Sequence, residues 1–436
     1  MMRICMIGTG YVGLVSGTCF ADLGNKVYCI DKDNEKIKKL NSGISPIFEP
    51  GLNEILKKNF NAGRLIFSTD LKEAVNNSDI IFICVGTPTK KGSHSVDLKY
   101  VFKAVKEIAK VSKRKKIIVN KSTVPVGTGD KVEKILKKLK KRKFDIISNP
   151  EFLREGEAIR DFRYPDRIVI GSDNKKVFSV MRKLYQPLIM KGAKFFTSTR
   201  RGAELIKYAS NAFLATKITF INEIANLCEK SGINVEAISL GMGSDVRIGS
   251  RFLRAGPAYG GSCFPKDTKG LVSTADAYKI NMSIVKSVIN SNNHRKVLLT
   301  KRIEKILGKR LKNKKISFLG VTFKPNTDDM RDSSSLTMIP YLSKKGAIVS
   351  YYDPTGKKNN FLKLKNTKYS NNVKDACKDA DLIVLHTEWD EFKSLDFKRL
   401  VKNKNFKVYD LRNLYNQEEM LKNKIKYYSI GRPIIK

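Results

Sequence analysis

Histidine is scarce in this chain. There are three in 436 residues, His94, His294 and His386, and they lie far apart. No CxxC pair accompanies them, so a metal site built from histidine and cysteine is not expected. Long hydrophobic runs are missing as well: the longest, such as IIFICV at 80–85, fall far short of the ~20 residues a membrane-spanning helix needs. A strand-like run, ICMIGTG, follows Arg3 directly. No secretory leader is therefore expected, and the cytoplasm is the expected location. Acidic residues are in deficit, 42 against 84 Lys and Arg, for a formal net charge of +42. Such a surplus raises nucleic acid as a partner, but its distribution argues against one. The lysines are spread along the chain, densest in KKLKKRK (137–143) and KRLKNKK (309–315), at the ends of helix-like segments just before strands. Solvated faces account for them, and no zinc-finger spacing, RNA-binding aromatic signature or helix-turn-helix pattern is present. Neither nucleic acid nor membrane is an expected partner, whereas a basic surface suits small anions such as nucleotides.

What the chain does contain is the composition of a soluble globular protein, 41% hydrophobic and 29% charged, with length for two to four domains at roughly 100–200 residues each. RICMIG, KVYCID, IIFICVG, KIIVNKS, FDIISNP and RIVIG are short β-branched runs separated by amphipathic segments, the pattern of a parallel α/β sheet. The pattern ends near Phe195–Phe196. From about Thr199 to Leu240 apolar residues recur at helical spacing, which predicts a helix of more than 25 residues closed by Gly232. A glycine-rich segment follows at 241–266, then a second helical stretch at about 268–308. Strands return with KISFLG, AIVSYYD, DLIVLH and KVYDLRN. The expected architecture is α/β: two Rossmann-like domains with parallel sheets, 1–198 and 309–436, joined by a central helical domain, 199–308, that contains the long helix.

IGTGYVG (7–13) places Gly8, Gly10 and Gly13 in GxGxxG spacing after a strand and at the start of an apolar helix, with Asp31 at the end of the next strand. Glycine permits the tight turn, lets backbone approach a pyrophosphate and lets helix pack on strand, while the helix N-terminus faces the phosphates. Asp31 would accept hydrogen bonds from ribose hydroxyls and repel a 2′-phosphate, favouring NAD over NADP. A flavoprotein or a degenerate turn of this type stays open on spacing alone.

Most of the seven cysteines sit in apolar runs: Cys5, Cys29 and Cys84 in strands, Cys19 and Cys228 in helices. They read as small buried hydrophobes of a reducing compartment. Cys377 lies in a polar helix end, where no role is expected. Cys263 differs, because GGSCFPKD (260–267) sets it on a glycine-rich loop beside charge. An aldehyde offers no hydride until a nucleophile adds to it. A thiol supplies a thiohemiacetal, whose oxidation gives a thioester that water cleaves. Lys266 is near enough in sequence to assist the thiol electrostatically, and Asp267 to hold a water. An inert cysteine in a glycine turn is the competing reading. Lys207 and Asn211 are four apart on the long helix and share a face, so they could hold a developing oxyanion or simply be solvated.

Together these motifs resemble the UDP-glucose 6-dehydrogenase family, part of the wider UDP-glucose/GDP-mannose dehydrogenase group. The matching segments are IGTGYVGL (7–14), VGTPT (85–89), KSTVPVGT (121–128), NPEFLREG (149–156), ELIKYASNAFLA (204–215), RIGSRFLRAGPAYGGSCFPKD (247–267), GVTFKPNTDDMRDSS (320–334) and DLRN (410–413). The resemblance implies a four-electron oxidation of the UDP-glucose C6 alcohol to the carboxylate, consuming two NAD and one water. It implies Cys263 as nucleophile, Lys207 and Asn211 as oxyanion stabilisers and Asp267 as an aid to water and proton transfer. Thr123 and Glu151 would sit around the catalytic water, with Glu151 the candidate base. Implied cofactor contacts are Gly8, Gly10, Tyr11, Val12, Gly13, Asp31, Lys36, Thr87, Thr123, Glu155, Lys266 and Arg331. Implied sugar-nucleotide contacts are Glu151, Phe152, Leu153, Lys207, Asn211, Phe252, Leu253, Gly256, Gly260, Lys324 and Arg412, with Arg247 reaching from a partner subunit. The cations Lys324 and Arg412 suit a diphosphate or the uracil side.

The long helix resembles the family's dimer core, its apolar stripe being too broad for a surface helix; a core within one chain is the alternative. Two departures from the family pattern are His94 in GSHSVDL and Leu411 in DLRN, where glycine is commoner. A relative acting on GDP-mannose or a UDP-N-acetylhexosamine is the alternative substrate reading. SCFPKD counts against UDP-N-acetylmannosamine enzymes, which usually show GGHC. A basic nucleic-acid binder on an inactive scaffold is opposed by the intact set Cys263, Lys207, Asn211 and Asp267.

Overall fold

Strands buried on both faces read as unbroken apolar runs, and that is how the first sheet forms. In β1 (Arg3–Ile7) the side chains of Ile4 and Met6 enter one core layer, with Leu14, Phe20 and Val27. Those of Cys5 and Ile7 enter the opposite layer, with Tyr28, Ile81 and Val105. The computed structural model describes residues 1–90, 92–139 and 144–433, so part of the 137–143 lysine run lies outside the described residues. The chain divides into two compact units. One comprises Met1–Ser210 and Lys269–Asn281; the other comprises Asn211–Thr268 and Met282–Lys436.

The first unit adds β2 (Lys26–Ile30), β3 (Leu65–Ser68), β4 (Ile80–Ile83), β5 (Ile117–Asn120), β6 (Asp145–Ser148), β7 (Arg167–Gly171) and β8 (Lys194–Ser198). Their order is β3-β2-β1-β4-β5-β6-β7-β8. The first six strands have the doubly wound dinucleotide-fold order, which reverses between β1 and β4. The sheet is parallel except where β6 meets β7 antiparallel, through the single pair Ser148↔Gly171. The parallel sheet that the sequence predicts is present, with this one antiparallel pair in it. The β6–β7 link spends its residues on the NPEFLREG loop and one six-residue helix, Ala158–Arg163, which rises only about 9 Å.

The second unit contains β9 (Lys315–Leu319), β10 (Ile348–Tyr352), β11 (Thr367–Tyr369), β12 (Leu382–Leu385), β13 (Lys407–Asp410) and β14 (Lys426–Ser429). Its order, β11-β10-β9-β12-β13-β14, repeats the six-strand pattern with every pair parallel. Cys377, read as lying in a polar helix end, is fully buried in this unit, its sulfur 3.5 Å from Ser317 Oγ. Leu411, the departure in DLRN, is buried too. The long helix runs Arg200–Ser231, and Gly232 ends it at φ +74°. A further helix, Val235–Ser244, begins in the stretch read as helical and ends inside the glycine-rich segment 241–266. The helical stretch expected at 268–308 is made of two helices, Phe264–Ala277 and Ser283–Leu307. Among the described residues no helix is long and apolar enough to cross a membrane.

Candidate active site

The first unit holds the glycine loop at the C-terminal end of β1. A Cβ added at Gly13 would lie 1.9 Å from the Gly8 carbonyl oxygen, so only glycine lets the helix Tyr11–Asp22 start this close to the turn. At Gly10 the same test meets nothing within 4 Å. Open space in front of a helix N-terminus is the room a pyrophosphate requires. Asp31 Oδ2 accepts from the Thr9 N–H at 2.9 Å, from Thr9 Oγ1 at 2.7 Å and from Lys36 Nζ at 3.1 Å. Partial burial opposes its charge, but these bonds and the Asp33 N–H hold the carboxyl down at about 2. It is therefore an anion at any working pH, ready for ribose hydroxyls. Tyr11 donates to Glu49, whose carboxylate also receives the N–H groups of Gly156 at 2.6 Å and Ala158 at 2.7 Å. The loop after β6 is thus tied to the glycine loop's helix, and it carries Glu155.

These residues fit a dinucleotide, and Gly10 offers a clean test. Gly10→Ala adds a methyl to open space, so the melting temperature is expected to stay unchanged. The KM for NAD is expected to rise on the order of tenfold or more, because the methyl occupies the phosphate's approach. An unchanged KM measured by NADH absorbance would remove the loop from cofactor binding.

The same unit gathers Thr87, Thr123, Glu151, Phe152, Leu153 and Lys207. Thr87 Oγ1 donates to the Thr123 carbonyl at 2.9 Å. Lys207 Nζ lies 3.6 Å from Glu151 Oε1, both side chains being buried, and 5.0 Å from the Phe152 ring centroid. Glu151 Oε2 takes the Leu153 N–H at 2.5 Å. A buried carboxylate can serve as a base, and the buried ammonium beside it can stabilise an oxyanion.

In the second unit Cys263 immediately precedes the helix Phe264–Ala277, the end of a helix whose dipole favours an anion. The first helical bond there runs from the Asp267 N–H to the Cys263 carbonyl, 2.8 Å. Alone among the seven cysteines, Cys263 is not buried. Asp267 is buried; its Oδ2 accepts from Asn211 Nδ2 at 2.6 Å and its Oδ1 from Lys266 Nζ at 2.5 Å. The implied residues Asn211, Lys266 and Asp267 thus form one network, one helical turn from the cysteine.

The loop leading to Cys263 is strained: Ala258 sits at φ +112° and Phe252 at φ +66°, conformations that side chains other than glycine rarely adopt. Residues that sequence reasoning passed over fix it. Asn222 accepts the Gly256 N–H at 2.9 Å. Arg295 Nε donates to the Gly256 carbonyl at 2.6 Å. Asn292 takes the Tyr259 N–H and donates to its carbonyl. Their signal was polar side chains on apolar helix faces. A Cβ at Gly261 would stand 2.6 Å from the Phe323 ring, and the Gly261 N–H bonds the Arg331 carbonyl at 2.7 Å.

Gly256 and Arg412 are neighbours as well: a Cβ at Gly256 would lie 3.4 Å from Arg412 Nη1. The guanidinium of Arg412 donates to the carbonyls of His386 and Phe323 and pairs with Glu388. Lys324 stands 5.7 Å from the Phe323 ring centroid. Leu253 is buried and its carbonyl takes the Ser239 hydroxyl. Gly260 abuts the Asp332 carbonyl, 2.8 Å from an added Cβ. Arg331 pairs with Asp329, and Arg247 is exposed and pairs with Asp245.

The second unit also repeats the acidic clamp of the first, which the sequence reading missed. Gly320 N–H bonds the Tyr352 carbonyl at 2.8 Å, as Gly8 N–H bonds that of Ile30 at 2.7 Å. Asp353 Oδ2 takes the Val321 N–H at 2.8 Å, and Lys358 follows five residues later, as Lys36 follows Asp31. The Asp353 side chain is wholly buried, whereas that of Asp31 is 17% exposed, so Asp353 braces the fold and has no face left for a ribose.

Comparison with known proteins places this geometry. Residues 2–189 match the NAD binding domain of the UDP-glucose/GDP-mannose dehydrogenase family, 201–294 its central domain and 317–417 its UDP binding domain. A UDP-glucose 6-dehydrogenase of Rhizobium meliloti (strain 1021) is 49% identical over 436 residues, covering 99% of this chain and 100% of that protein. One from Rickettsia prowazekii (strain Madrid E) is 46% identical over 438 residues, covering 99% and 100%. The solved structure of a UDP-glucose dehydrogenase from the archaeon Pyrobaculum islandicum superposes with a TM-score of 0.90 at 34% identity, covering 98% of this chain and 97% of that one. With a glycine loop, an ionised aspartate beside it and an accessible cysteine set in matching domains along most of its length, the chain belongs to the UDP-glucose/GDP-mannose dehydrogenase family.

Proposed function

We propose that this enzyme oxidises UDP-glucose to UDP-glucuronate, with two NAD and one water consumed per turnover. The observation that carries the reading is Cys263: the one accessible thiol, at a helix N-terminus, one turn from the Asn211–Asp267–Lys266 network. The glycine loop and Asp31 hold NAD, which when bound accepts one hydride in each of the two oxidations. The first oxidation turns the C6 alcohol into an aldehyde. The Cys263 sulfur adds to that carbon, a C–S bond forms, and the carbonyl oxygen becomes an oxyanion. Lys207 and Asn211 stabilise this oxyanion. After the second oxidation the carbon is a thioester. Water positioned by Thr123 and Asp267 attacks it, Glu151 takes the water's proton, the C–S bond breaks, and the carboxylate leaves. Lys324, Arg412 and the 252–260 loop bind the nucleotide, and the functional division is 1–198 for cofactor, 199–308 for assembly and 309–436 for the UDP-sugar.

The enzyme works as a cytoplasmic homodimer. Phe213, Phe220 and Leu227 are 66%, 46% and 62% exposed and recur every seven residues on the long helix. An apolar seam at heptad spacing fits a second copy of the same helix, and the exposed Arg247 then serves the neighbouring subunit. The test is purified enzyme with NAD and a panel of UDP-glucose, UDP-N-acetylmannosamine and GDP-mannose, read by NADH absorbance and by light scattering. Two NADH per UDP-glucose, negligible turnover of the others and a dimer mass are expected. Preference for another sugar nucleotide would overturn the substrate, and a monomer mass would overturn the assembly.

A further inference from the structure

Glu204 lies in the long helix, one turn before Lys207, and is buried. Its Oε2 accepts the Gly127 N–H at 2.7 Å, and its Oε1 accepts the Gly129 N–H at 2.8 Å and the Ser148 hydroxyl at 3.0 Å. Gly127 and Gly129 flank the start of the helix Thr128–Lys138, which has no side-chain cap of its own. A carboxylate borrowed from another element therefore caps it. The segment between β5 and that helix carries Thr123. One end of the segment is fixed by the sheet, where the Lys121 and Ser122 N–H groups bond the Ile83 carbonyl. The other end is fixed by Glu204.

Beside Glu204 is a cavity of about 10 Å³, the space for the centre of one water molecule. It is lined by Asn120, Ser122, Thr123, Ser148, Glu204 and Lys207, among others. Asn120 is 3% exposed, and among the described residues neither its amide nitrogen nor its oxygen has a hydrogen-bond partner. A buried amide with both ends unpaired is destabilising unless a water serves it.

We propose that Glu204 is a positioning residue for the reaction: it anchors the Thr123 segment through the N-terminus of the helix Thr128–Lys138, and one ordered water in the adjoining cavity joins it to Asn120. This inference rests on the proposed roles of Thr123 and Lys207. Burial raises the Glu204 carboxyl to about 6, against the lowering by Gly129, Gly127 and Ser148, and Asp130 adds to the rise. Besides Asp130, the charged groups near it among the described residues include Arg200, Arg201 and Lys207 of its own helix. Above pH 6 the carboxylate accepts all three bonds. Below it, the protonated oxygen becomes a donor facing donors, and the segment loosens.

The experiment compares wild type, Glu204→Gln and Glu204→Asp with UDP-glucose and NAD from pH 5 to 8. Wild type is expected to show an acid limb near pH 6, and Glu204→Gln is expected to lose it while lowering kcat about tenfold with both KM values within about twofold. Glu204→Asp keeps a carboxylate and is expected to recover most of the rate and to retain an acid limb. A folded Glu204→Gln enzyme with wild-type kcat overturns the inference, and so does a slower one whose pH profile is unchanged, since a purely structural role moves no limb. Should Glu204→Gln fail to fold, a crystal structure of wild type decides: density for a water bonded to Asn120 and Glu204 supports the proposal, and an empty cavity overturns it. A wild type that makes no NADH from UDP-glucose would instead sink the proposed function.

Discussion

Cys263→Ala is expected to abolish UDP-glucuronate formation, with a fall on the order of 10³-fold or more, as loss of a covalent nucleophile generally gives. The first oxidation needs no sulfur, so the variant should retain one hydride transfer per substrate and release aldehyde. The second cannot follow on a carbon that carries no added nucleophile. Stability should hardly change: the side chain is partly exposed, precedes its helix and fills no core position. An unchanged melting temperature with lost acid production separates chemistry from folding. Cys263→Ser adds a harder test. Its hydroxyl is a weaker nucleophile, and the ester it would form is cleaved more slowly than a thioester, so protein mass spectrometry should find a covalent sugar adduct on residue 263. Full turnover to the acid in the alanine variant would refute the assignment.

Much of this arrangement was legible because it follows from local rules. Strands covered on both faces, as in IIFI and LIVL, must be apolar throughout, and they were read correctly as parallel-sheet strands. The long helix and its end at Gly232 followed from periodicity and one glycine. What stayed hidden depends on contacts distant in sequence. Nothing in NPEFLREG or RIVIG says that β7 pairs antiparallel with β6. No proline or glycine marks the break at 278–282 between two helices, where Lys279 turns the chain at φ +59°. The helix behind Cys263 starts at Phe264, with Pro265 in its first turn, although the glycines before it suggested a longer loop. Within the candidate site, motif residues could be named, but their supports could not. Asn222, Asn292 and Arg295 hold the cysteine loop by bonds to its backbone, and Glu204 holds the Thr123 segment in the same way. A backbone partner leaves no pattern at any fixed spacing. Asp353 was a missed chance, since an aspartate after a strand with a lysine five residues on repeats Asp31 and Lys36.

Lys207→Met tests whether charge, and not shape, makes the buried pair with Glu151 useful. Methionine fills a similar volume, so the cavity cost is small, but the ammonium 3.6 Å from Glu151 Oε1 is lost. Two effects should separate. Transition-state charge on the substrate oxygen loses a donor, which lowers kcat about 10²–10³-fold. The fold keeps a buried carboxylate whose remaining hydrogen bond among the described residues is from the Leu153 N–H, a change that costs about 3–5 kcal/mol of stability. Pairing the change with Glu151→Gln should restore most of that stability, because two neutral groups of similar shape leave no uncompensated charge. Activity should not return, since neither the oxyanion's cation nor the water's base is present. Denaturant titration of the three variants beside steady-state kinetics reads both effects. A Lys207→Met enzyme within threefold of wild-type kcat would show that the oxyanion is held elsewhere, and a double variant no more stable than the single would show that the two charges do not depend on each other.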